Sequence, residues 1–206
     1  MSYTYERPDN PQSFFATYAE TARQALLSVD REAFAEACAL LEATYHEKRT
    51  VFVCGNGGSA AIANHMVCDH NKLVATKTAL RPRVVSLCQP IEMITAIAND
   101  IGYEAVFTYQ LELQAAKGDV LTIMSASGKS PNVVSALRSA KKLGLKSIAM
   151  TAFQGGPSRE LADISLHVDV ANYAIAEDVH LSLMQMLAHY IRIQGMEDEV
   201  LHETIF

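Results

Sequence analysis

The 206-residue sequence lacks any apolar run long enough to cross a membrane and any cluster of basic residues. A membrane-spanning helix needs about 18 or more consecutive apolar residues. The 17 basic side chains are outnumbered by 23 acidic ones, and the formal net charge of -6 argues against a surface for nucleic acid or for anionic lipid. Residues 1–10 are polar and contain Pro8, unlike a signal peptide. We therefore expect a cytoplasmic protein with neither a membrane nor a nucleic acid as partner.

Closely spaced cysteines are also absent. Cys38, Cys54, Cys68 and Cys88 lie far apart, and no two of them form a C-x-x-C pair. A zinc site made of thiolates is therefore not expected. Three of these cysteines lie in apolar surroundings, where a free thiol behaves as a small hydrophobic side chain, whereas Cys68 precedes the acidic Asp69. A reducing compartment requires no disulfide bonds, which agrees with this pattern.

The hydrophobic periodicity indicates helices at both ends of the chain and alternating strands and helices between them. Residues 11–47 predict two amphipathic helices, the second beginning after the favourable N-cap residue Asp30. Residues 176–194 predict a long closing helix. Short runs rich in β-branched residues predict five strands, at residues 50–54, 83–87, 119–124, 146–150 and 164–168.

Strands that alternate with helices of about 10 to 15 residues predict a parallel sheet covered on both faces. The expected fold class is therefore α/β with a five-stranded parallel sheet, and the length suits one domain over residues 1–206. Ligands of such sheets bind beyond the carboxyl ends of the strands. The loops after Cys54 and Met124 are thus the expected places for chemistry.

The first of these loops is GNGGS, residues 55–59, which leads into an alanine-rich helix. Its three glycines allow positive φ angles and a close approach of a ligand to the backbone, and Ser59 can cap the helix. The loop has neither the G-x-G-x-x-G spacing of dinucleotide-binding turns nor the Gly-Lys-Ser/Thr ending of a P-loop. These absences argue against NAD and ATP. A tight strand-to-helix turn without a ligand is the alternative.

The second loop, SASGKSPN at residues 125–132, carries three hydroxyls in six residues. Ser130 as the N-cap and Pro131 at the first helical position predict a helix start, whose exposed amides and positive dipole end attract an anion. Serines that only cap a helix need not occur three together. We therefore favour a phosphate-binding loop over a plain cap, with a phosphomonoester as the expected ligand.

These motifs together resemble the sugar isomerase (SIS) domain family, in particular its phosphoheptose isomerases. The resemblance rests on GNGGS, on TAIAND at residues 95–100, on the serine loop and on the closing helix, and it spans nearly the whole chain. It implies a single SIS domain built as a three-layer α/β sandwich. It also implies an aldose–ketose isomerase that converts sedoheptulose 7-phosphate to D-glycero-D-manno-heptose 7-phosphate through an enediol.

The resemblance also implies which residues bind the substrate. The serine loop would hold the phosphate, and the GNGGS loop with Asp100 would contact the sugar hydroxyls. The full predicted set is Asn56, Gly57, Ser59, Asp100, Ser125, Ala126, Ser127, Ser130 and Glu177.

Moving a proton between adjacent carbons needs a base, an acid and stabilisation of oxyanion charge. His65 and Asp69 are four residues apart on one helix face, which suits metal ligands. Glu177 and Gln185 are eight apart on the closing helix. The resemblance implies that these four residues hold a divalent metal, with zinc as first choice and manganese or iron as alternatives. It also implies that Asp69 and the residue at position 185 are catalytic.

Three of these four positions depart from the family's pattern, which has His and Glu at the first pair and Gln and His at the second. Asp69 is one methylene shorter than Glu, and Glu177 adds a negative charge. Gln185 is a neutral amide that cannot transfer protons, so His180 and His189 on the same helix are candidates for that role. The alternative hypothesis is a non-catalytic protein that senses a phosphosugar or binds a partner, like a family-related replication-initiation regulator.

The first and last helices carry more apolar surface than one sheet face is expected to cover. Monomers rarely leave large apolar patches in water, so we expect this surface to be buried between subunits. The resemblance implies a homotetramer whose sites are shared between subunits. The residues concerned are Phe14, Phe15, Tyr18, Leu183, Leu187 and Tyr190.

Overall fold

The computed structural model describes residues 7–204, so the first six residues of the polar amino-terminal segment and the last two of the expected domain lie outside the described part. The strands are β1 (Thr50–Gly55), β2 (Arg83–Ser86), β3 (Val120–Ser125), β4 (Lys146–Thr151) and β5 (Ile164–His167). They form a sheet in the order β2-β1-β3-β4-β5, and every neighbouring pair is parallel. The predicted α/β class is confirmed, and each strand bound agrees with the sequence to within one residue.

The helices lie where the periodicity predicted them, with a few additions. A π-helical turn, Asp69–Val74, continues the third helix, and a 3-10 turn, Tyr103–Ala105, precedes the fifth. The sequence did not predict these two turns or the helices at Val106–Gln114 and Asp198–His202. The helices are α1 (Pro11–Leu27), α2 (Arg31–His46), α3 (Gly58–Cys68), α4 (Ile91–Asp100), α5 (Val106–Gln114), α6 (Pro131–Leu143), α7 (Gly156–Leu161), α8 (Tyr173–Gln194) and α9 (Asp198–His202).

The sheet separates two hydrophobic layers, because successive side chains of a strand point to opposite faces. In β1, Val51 and Val53 belong to the layer formed with α1, α2, α3 and α8. Phe52 and Cys54 belong to the layer formed with α4, α5 and α6. Residues of β1 are buried on both faces, which explains why this strand is a continuous apolar run in the sequence. The arrangement is the expected three-layer sandwich.

The prediction that the closing helix presents an apolar face to another subunit is wrong for two of its residues. Leu183 and Leu187 are buried in the core, because α8 packs this face against the sheet and the neighbouring helices. Tyr18 is half-buried and its hydroxyl donates to Asp178 Oδ2. Phe14 and Phe15 remain exposed, Phe15 by 75% of its surface, as does Tyr190. The exposed apolar surface is therefore smaller on α8 than expected.

Cys38 and Cys54 are buried free thiols, Cys88 is half-buried, and Cys68 is exposed. No helix within residues 7–204 is long and apolar enough to span a membrane.

Candidate active site

The GNGGS loop and the serine loop lie side by side because β1 and β3 are neighbours in the sheet. Strand β2 lies on one side of β1 and β3 lies on the other, so the strand order reverses between β1 and β3. The carboxyl ends of β1 and β3 therefore form a topological switch point, where ligands of such sheets bind. A cavity of about 180 Å³ opens there, between the two loops and the start of α8. Its walls are Asn56, Ser59, Met124, Ser125, Ala126, Ser127, Ser130, Tyr173 and Glu177.

The GNGGS loop owes its shape to close backbone packing. A Cβ at Gly55 would lie 2.8 Å from the carbonyl oxygen of Met124, so only glycine lets β1 end so near β3. Gly57 has a φ of 56° and is the N-cap of α3. The expectation that Ser59 caps this helix is wrong, because Ser59 lies within its first turn. Its buried side chain lines the cavity instead.

The serine loop begins at the end of β3 and turns into α6. Ser130 is the N-cap with Pro131 at the first helical position, as predicted, yet its hydroxyl makes no capping hydrogen bond within the described chain. Ser127 Oγ accepts from the backbone amide of Lys129 at 3.3 Å. Ser125, Ser127 and Ser130 all line the cavity. The hydroxyls and the positive end of α6 therefore converge on one volume, as phosphate binding requires.

The loop that contains Gly155, just before α7, packs directly against the serine loop. Gly128 has a φ of 62°, and a Cβ there would lie 1.8 Å from the carbonyl oxygen of Gly155. The backbone amide of Ser158 donates to Gly128 O at 3.1 Å. The path of the serine loop is thus set by backbone contacts that leave no room for a side chain.

Three side chains link the two loops across the cavity wall. The amides of Asn56 and Asn132 form two reciprocal hydrogen bonds, each with a nitrogen–oxygen distance of 2.9 Å. The hydroxyl of Tyr103 donates to Asn56 Oδ1 at 2.9 Å. Sequence reasoning did not select Asn132 or Tyr103. Asn132 is the last residue of the motif SASGKSPN, which could have marked it as a site residue. Its pairing with Asn56 could not be predicted from the sequence.

His65, Asp69 and Gln185 meet on the outer surface of α3 and α8. His65 Nε2 lies 3.0 Å from Asp69 Oδ2 and 3.2 Å from Gln185 Nε2. A single ring nitrogen carries at most one proton, so it cannot donate to the carboxylate while it accepts from the amide. Asp69 Oδ2 is buried and makes no hydrogen bond to any described residue. His65 Nε2 can therefore pair with the Asp69 carboxylate or with the Gln185 amide, but not with both at once.

Asp69 lies at the point where α3 changes into the π-helical turn. Such turns widen the helix by one residue and often occur at functional sites. The turn also carries His70 into the core, where its Nδ1 meets the hydroxyl of Tyr45 at 2.5 Å. Burial lowers the pKa of His70 to about 4, so this histidine is a neutral structural residue.

Glu177 lies apart from this cluster, at the start of α3. A Cβ at Gly58 would lie 2.1 Å from Glu177 Oε2, so the carboxylate rests directly on the glycine. Because α3 and α8 run in the same direction, Gly58 pairs with Glu177 and His65 pairs with Gln185. The eight residues between Glu177 and Gln185 correspond to roughly 12 Å along the helix. Within residues 7–204, no three histidine, cysteine, aspartate or glutamate side chains are arranged to hold a metal ion.

The remaining predicted site residues do not reach the cavity within one chain. Asp100 is exposed at the end of α4, where it accepts a hydrogen bond from Asn99. His180 is fully buried, and burial lowers its pKa to about 4. The structure therefore does not bring His180 to the site as the replacement for an imidazole at position 185. Gly57 is exposed beside the cavity wall.

The family model of the SIS domain matches residues 14–152, in agreement with the fold and the site described above. The chain is therefore a SIS-domain protein. A phosphoheptose isomerase from Aliarcobacter butzleri is 35% identical over 167 residues, which cover 81% of this chain and 87% of that relative. The solved structure of a phosphoheptose isomerase from Neisseria gonorrhoeae superimposes with a TM-score of 0.79 at 29% identity, covering 87% of this chain and 97% of its own. That of a Francisella tularensis phosphoheptose isomerase gives 0.81 at 26% identity, covering 88% and 95%. The chain therefore belongs to the phosphoheptose isomerase family.

Proposed function

We propose that this protein is an aldose–ketose isomerase that converts sedoheptulose 7-phosphate to D-glycero-D-manno-heptose 7-phosphate. The observation that carries the proposal is the convergence of Ser125, Ser127 and Ser130 with the start of α6 on one small cavity. Charge-assisted hydrogen bonds from hydroxyls and helix amides suit a phosphomonoester dianion. The curated relatives are named as phosphoheptose isomerases, so the non-catalytic alternative is not favoured.

The length of the site supports a substrate of about seven carbons. Ser59 in the cavity and His65 in the outer cluster are six residues apart on α3, which corresponds to roughly 9 Å. An extended seven-carbon chain spans roughly 8 Å, given carbon–carbon bonds of about 1.5 Å. A sugar whose phosphate lies in the serine loop can therefore present its first two carbons to Asp69. The carboxylate would remove the proton from one of these carbons and return it to the other, passing through an enediol.

We further propose that His65, Asp69 and Gln185 hold a divalent metal, with zinc as first choice. Glu177, which the resemblance implied as a further ligand, rests on Gly58 apart from these three residues and does not join them within one chain. The distance of 3.0 Å between Asp69 Oδ2 and His65 Nε2 supports this, since ligand atoms around a tetrahedral zinc lie about 3.3 Å apart. When bound, the cation would supply positive charge that stabilises oxyanion charge in the enediol step. Elemental analysis of protein purified without chelator tests the proposal. Protein that contains no metal and is not activated by any added divalent cation would contradict it.

The assembly we propose is a cytoplasmic homotetramer with shared sites. Tyr103, whose hydroxyl bonds to Asn56 of the cavity wall, is exposed by 57%, and Ile101, two residues before it, by 60%. Asp100 lies beside them and is exposed. Subunit contact at this surface would bury apolar area and bring Asp100 of one copy toward the sugar of another. Light scattering at micromolar concentration measures the state, and a fully active 22.5 kDa monomer would contradict the proposal.

The decisive test of the reaction is incubation with a panel of ketose phosphates, with and without added zinc, followed by product NMR. We expect conversion of sedoheptulose 7-phosphate to the aldose, and little or no conversion of shorter ketose phosphates. Binding of inorganic phosphate without conversion of any ketose would leave a binding protein and exclude the enzyme.

A further inference from the structure

We infer that Asn132 and Tyr103 are positioning residues that fix the side-chain amide of Asn56 as a hydrogen-bond donor to an oxygen of the sugar. The inference rests on the proposed function, because it assigns the substrate of the same cavity. It concerns how the site recognises the sugar, whereas the serine loop is proposed to bind the phosphate.

The three side chains form a network with defined polarity. The backbone amide of Val133, which can only donate, lies 3.0 Å from Asn132 Oδ1. The oxygen of Asn132 must therefore face this amide, and its nitrogen must face Asn56. Asn132 Nδ2 then donates to Asn56 Oδ1, and Asn56 Nδ2 donates to Asn132 Oδ1 in return. The orientation of both amides is thus set by one backbone group at the start of α6.

Tyr103 completes the network from the other side of the cavity wall. Its hydroxyl donates to Asn56 Oδ1 at 2.9 Å, so this oxygen already accepts two hydrogen bonds. A carbonyl oxygen has two lone pairs, and both are now used. Asn56 can therefore not accept a hydrogen bond from the substrate.

The second hydrogen of Asn56 Nδ2 has no acceptor among the described residues. Asn56 lines the cavity, whereas Asn132 is only 1% exposed and cannot touch a ligand. Asn56 therefore offers the sugar a donor, which suits a carbonyl or hydroxyl oxygen. Because Asn132 belongs to the serine loop, the same network also sets the distance between the phosphate site and this donor.

A double-mutant cycle separates positioning from a general structural role. Asn132→Leu removes the amide without adding charge, and Tyr103→Phe removes only the hydroxyl. We expect kcat/KM for sedoheptulose 7-phosphate to fall about tenfold or more in the first variant and about fivefold in the second. Each substitution should have little further effect in an Asn56→Ala background, because its action passes through Asn56. The dissociation constant for inorganic phosphate, measured by calorimetry, should change by less than about twofold.

Tyr109→Phe is the matched control, since Tyr109 is a partly exposed tyrosine on α5 with no side-chain hydrogen bond to the described residues. It should leave kcat and KM unchanged. If Asn132→Leu fails to fold, Tyr103→Phe alone decides, because its side chain is 57% exposed. An unchanged kcat/KM in Tyr103→Phe, or additive losses in the Asn56→Ala background, would overturn the inference.

Failure of the proposed function has a different signature. If the wild-type protein isomerises no ketose phosphate, the reaction is wrong, and the same cycle is then measured on the affinity for sedoheptulose 7-phosphate relative to inorganic phosphate. The ratio should fall in both variants if the network positions Asn56. A wild-type protein that binds the sugar phosphate no more tightly than inorganic phosphate would overturn the inference as well.

Discussion

The serine loop and the cluster of His65, Asp69 and Gln185 are built in opposite ways. The serine loop uses hydroxyls held by backbone contacts, and Gly128 and Gly155 approach so closely that no side chain fits between them. The cluster uses the side chains of three residues on two helices, at a partly exposed surface. We expect a side chain added at Gly128 to disturb the fold, whereas a substitution in the cluster should leave the fold intact.

This difference explains where the sequence keeps the family's pattern and where it departs. The serine loop keeps the motif on which the resemblance rests, whereas Asp69, Glu177 and Gln185 depart from the pattern that the resemblance implies. Helix α8 tolerates Gln185 because the side chain lies at the surface and still bonds to His65. We therefore expect the cluster at the proposed reactive end to tolerate substitution more readily than the serine loop does.

The largest expected effect is that of Gly128→Ala. The new methyl group would lie 1.8 Å from Gly155 O, at a residue whose φ is 62°. We expect the free energy of unfolding to fall by about 3 kcal/mol or more, with loss of phosphate binding. Gly57→Ala is the control, since its φ is 56° but a Cβ there would meet nothing within 4 Å, and it should cost only about 1 kcal/mol. Equal losses of stability in the two variants would contradict a role for the close contact between Gly128 and Gly155.

The two buried histidines, His70 and His180, predict a pH dependence of stability. Burial lowers the pKa values of His70 and His180 to about 4, so between about pH 6.5 and 4 the unfolded chain binds protons that the native protein excludes. Stability should be unaffected by these groups above about pH 6.5 and fall below it, by up to about 1.4 kcal/mol per pH unit for each histidine.

Urea unfolding at several pH values between 4.5 and about 7.5 measures this slope. His180→Gln should reduce the slope, because one of the two groups no longer titrates. His46→Gln, on the exposed surface at the end of α2, is the control and should leave it unchanged. A slope that is the same in wild type and His180→Gln would show that His180 is protonated in the native protein.

Gln185→His sharpens the comparison from the reactive side. It restores an imidazole next to His65 and Asp69, and a positioned general acid–base group contributes about 10²-fold or more to a rate. Because Asp69 and Glu177 also differ from the family, we expect a smaller rise in kcat, of about tenfold. Gln194→His, at the far end of α8, is the matched control. A kcat that does not change would mean that position 185 takes no part in proton transfer.

An effect of about the same size is expected of Ser127→Ala. Removal of one hydroxyl deletes one charge-assisted hydrogen bond to phosphate, which should weaken binding of sedoheptulose 7-phosphate about tenfold. Calorimetry measures this change. Ser182→Ala serves as control, because the hydroxyl of Ser182 bonds to its own helix at Asp178 O. Unchanged affinity in Ser127→Ala would remove the loop from the site.

The anchoring half of the site was predictable because its parts are consecutive in the chain. GNGGS and SASGKSPN each lie directly after a strand, and the carboxyl ends of parallel strands share one edge of a sheet. The pairing of Asn56 with Asn132 was not predictable, since the two residues are 76 positions apart. Their contact depends on β1 and β3 being neighbours, which no local pattern states.

The sequence by itself determined the five strands, most of the helices, the parallel sheet and the two loops, because period and turn chemistry are local properties of the chain. Only the tertiary structure decided which helix faces are buried and which polar groups meet. Leu183 and Leu187 lie on an apolar helix face that the sequence predicted to be exposed on a single subunit. In the structure α8 packs this face into the core. His180 and His65 are the same residue type on similar helices, and only packing makes one buried and the other exposed. Burial and long-range contact depend on how elements pack, which is a property of the whole chain.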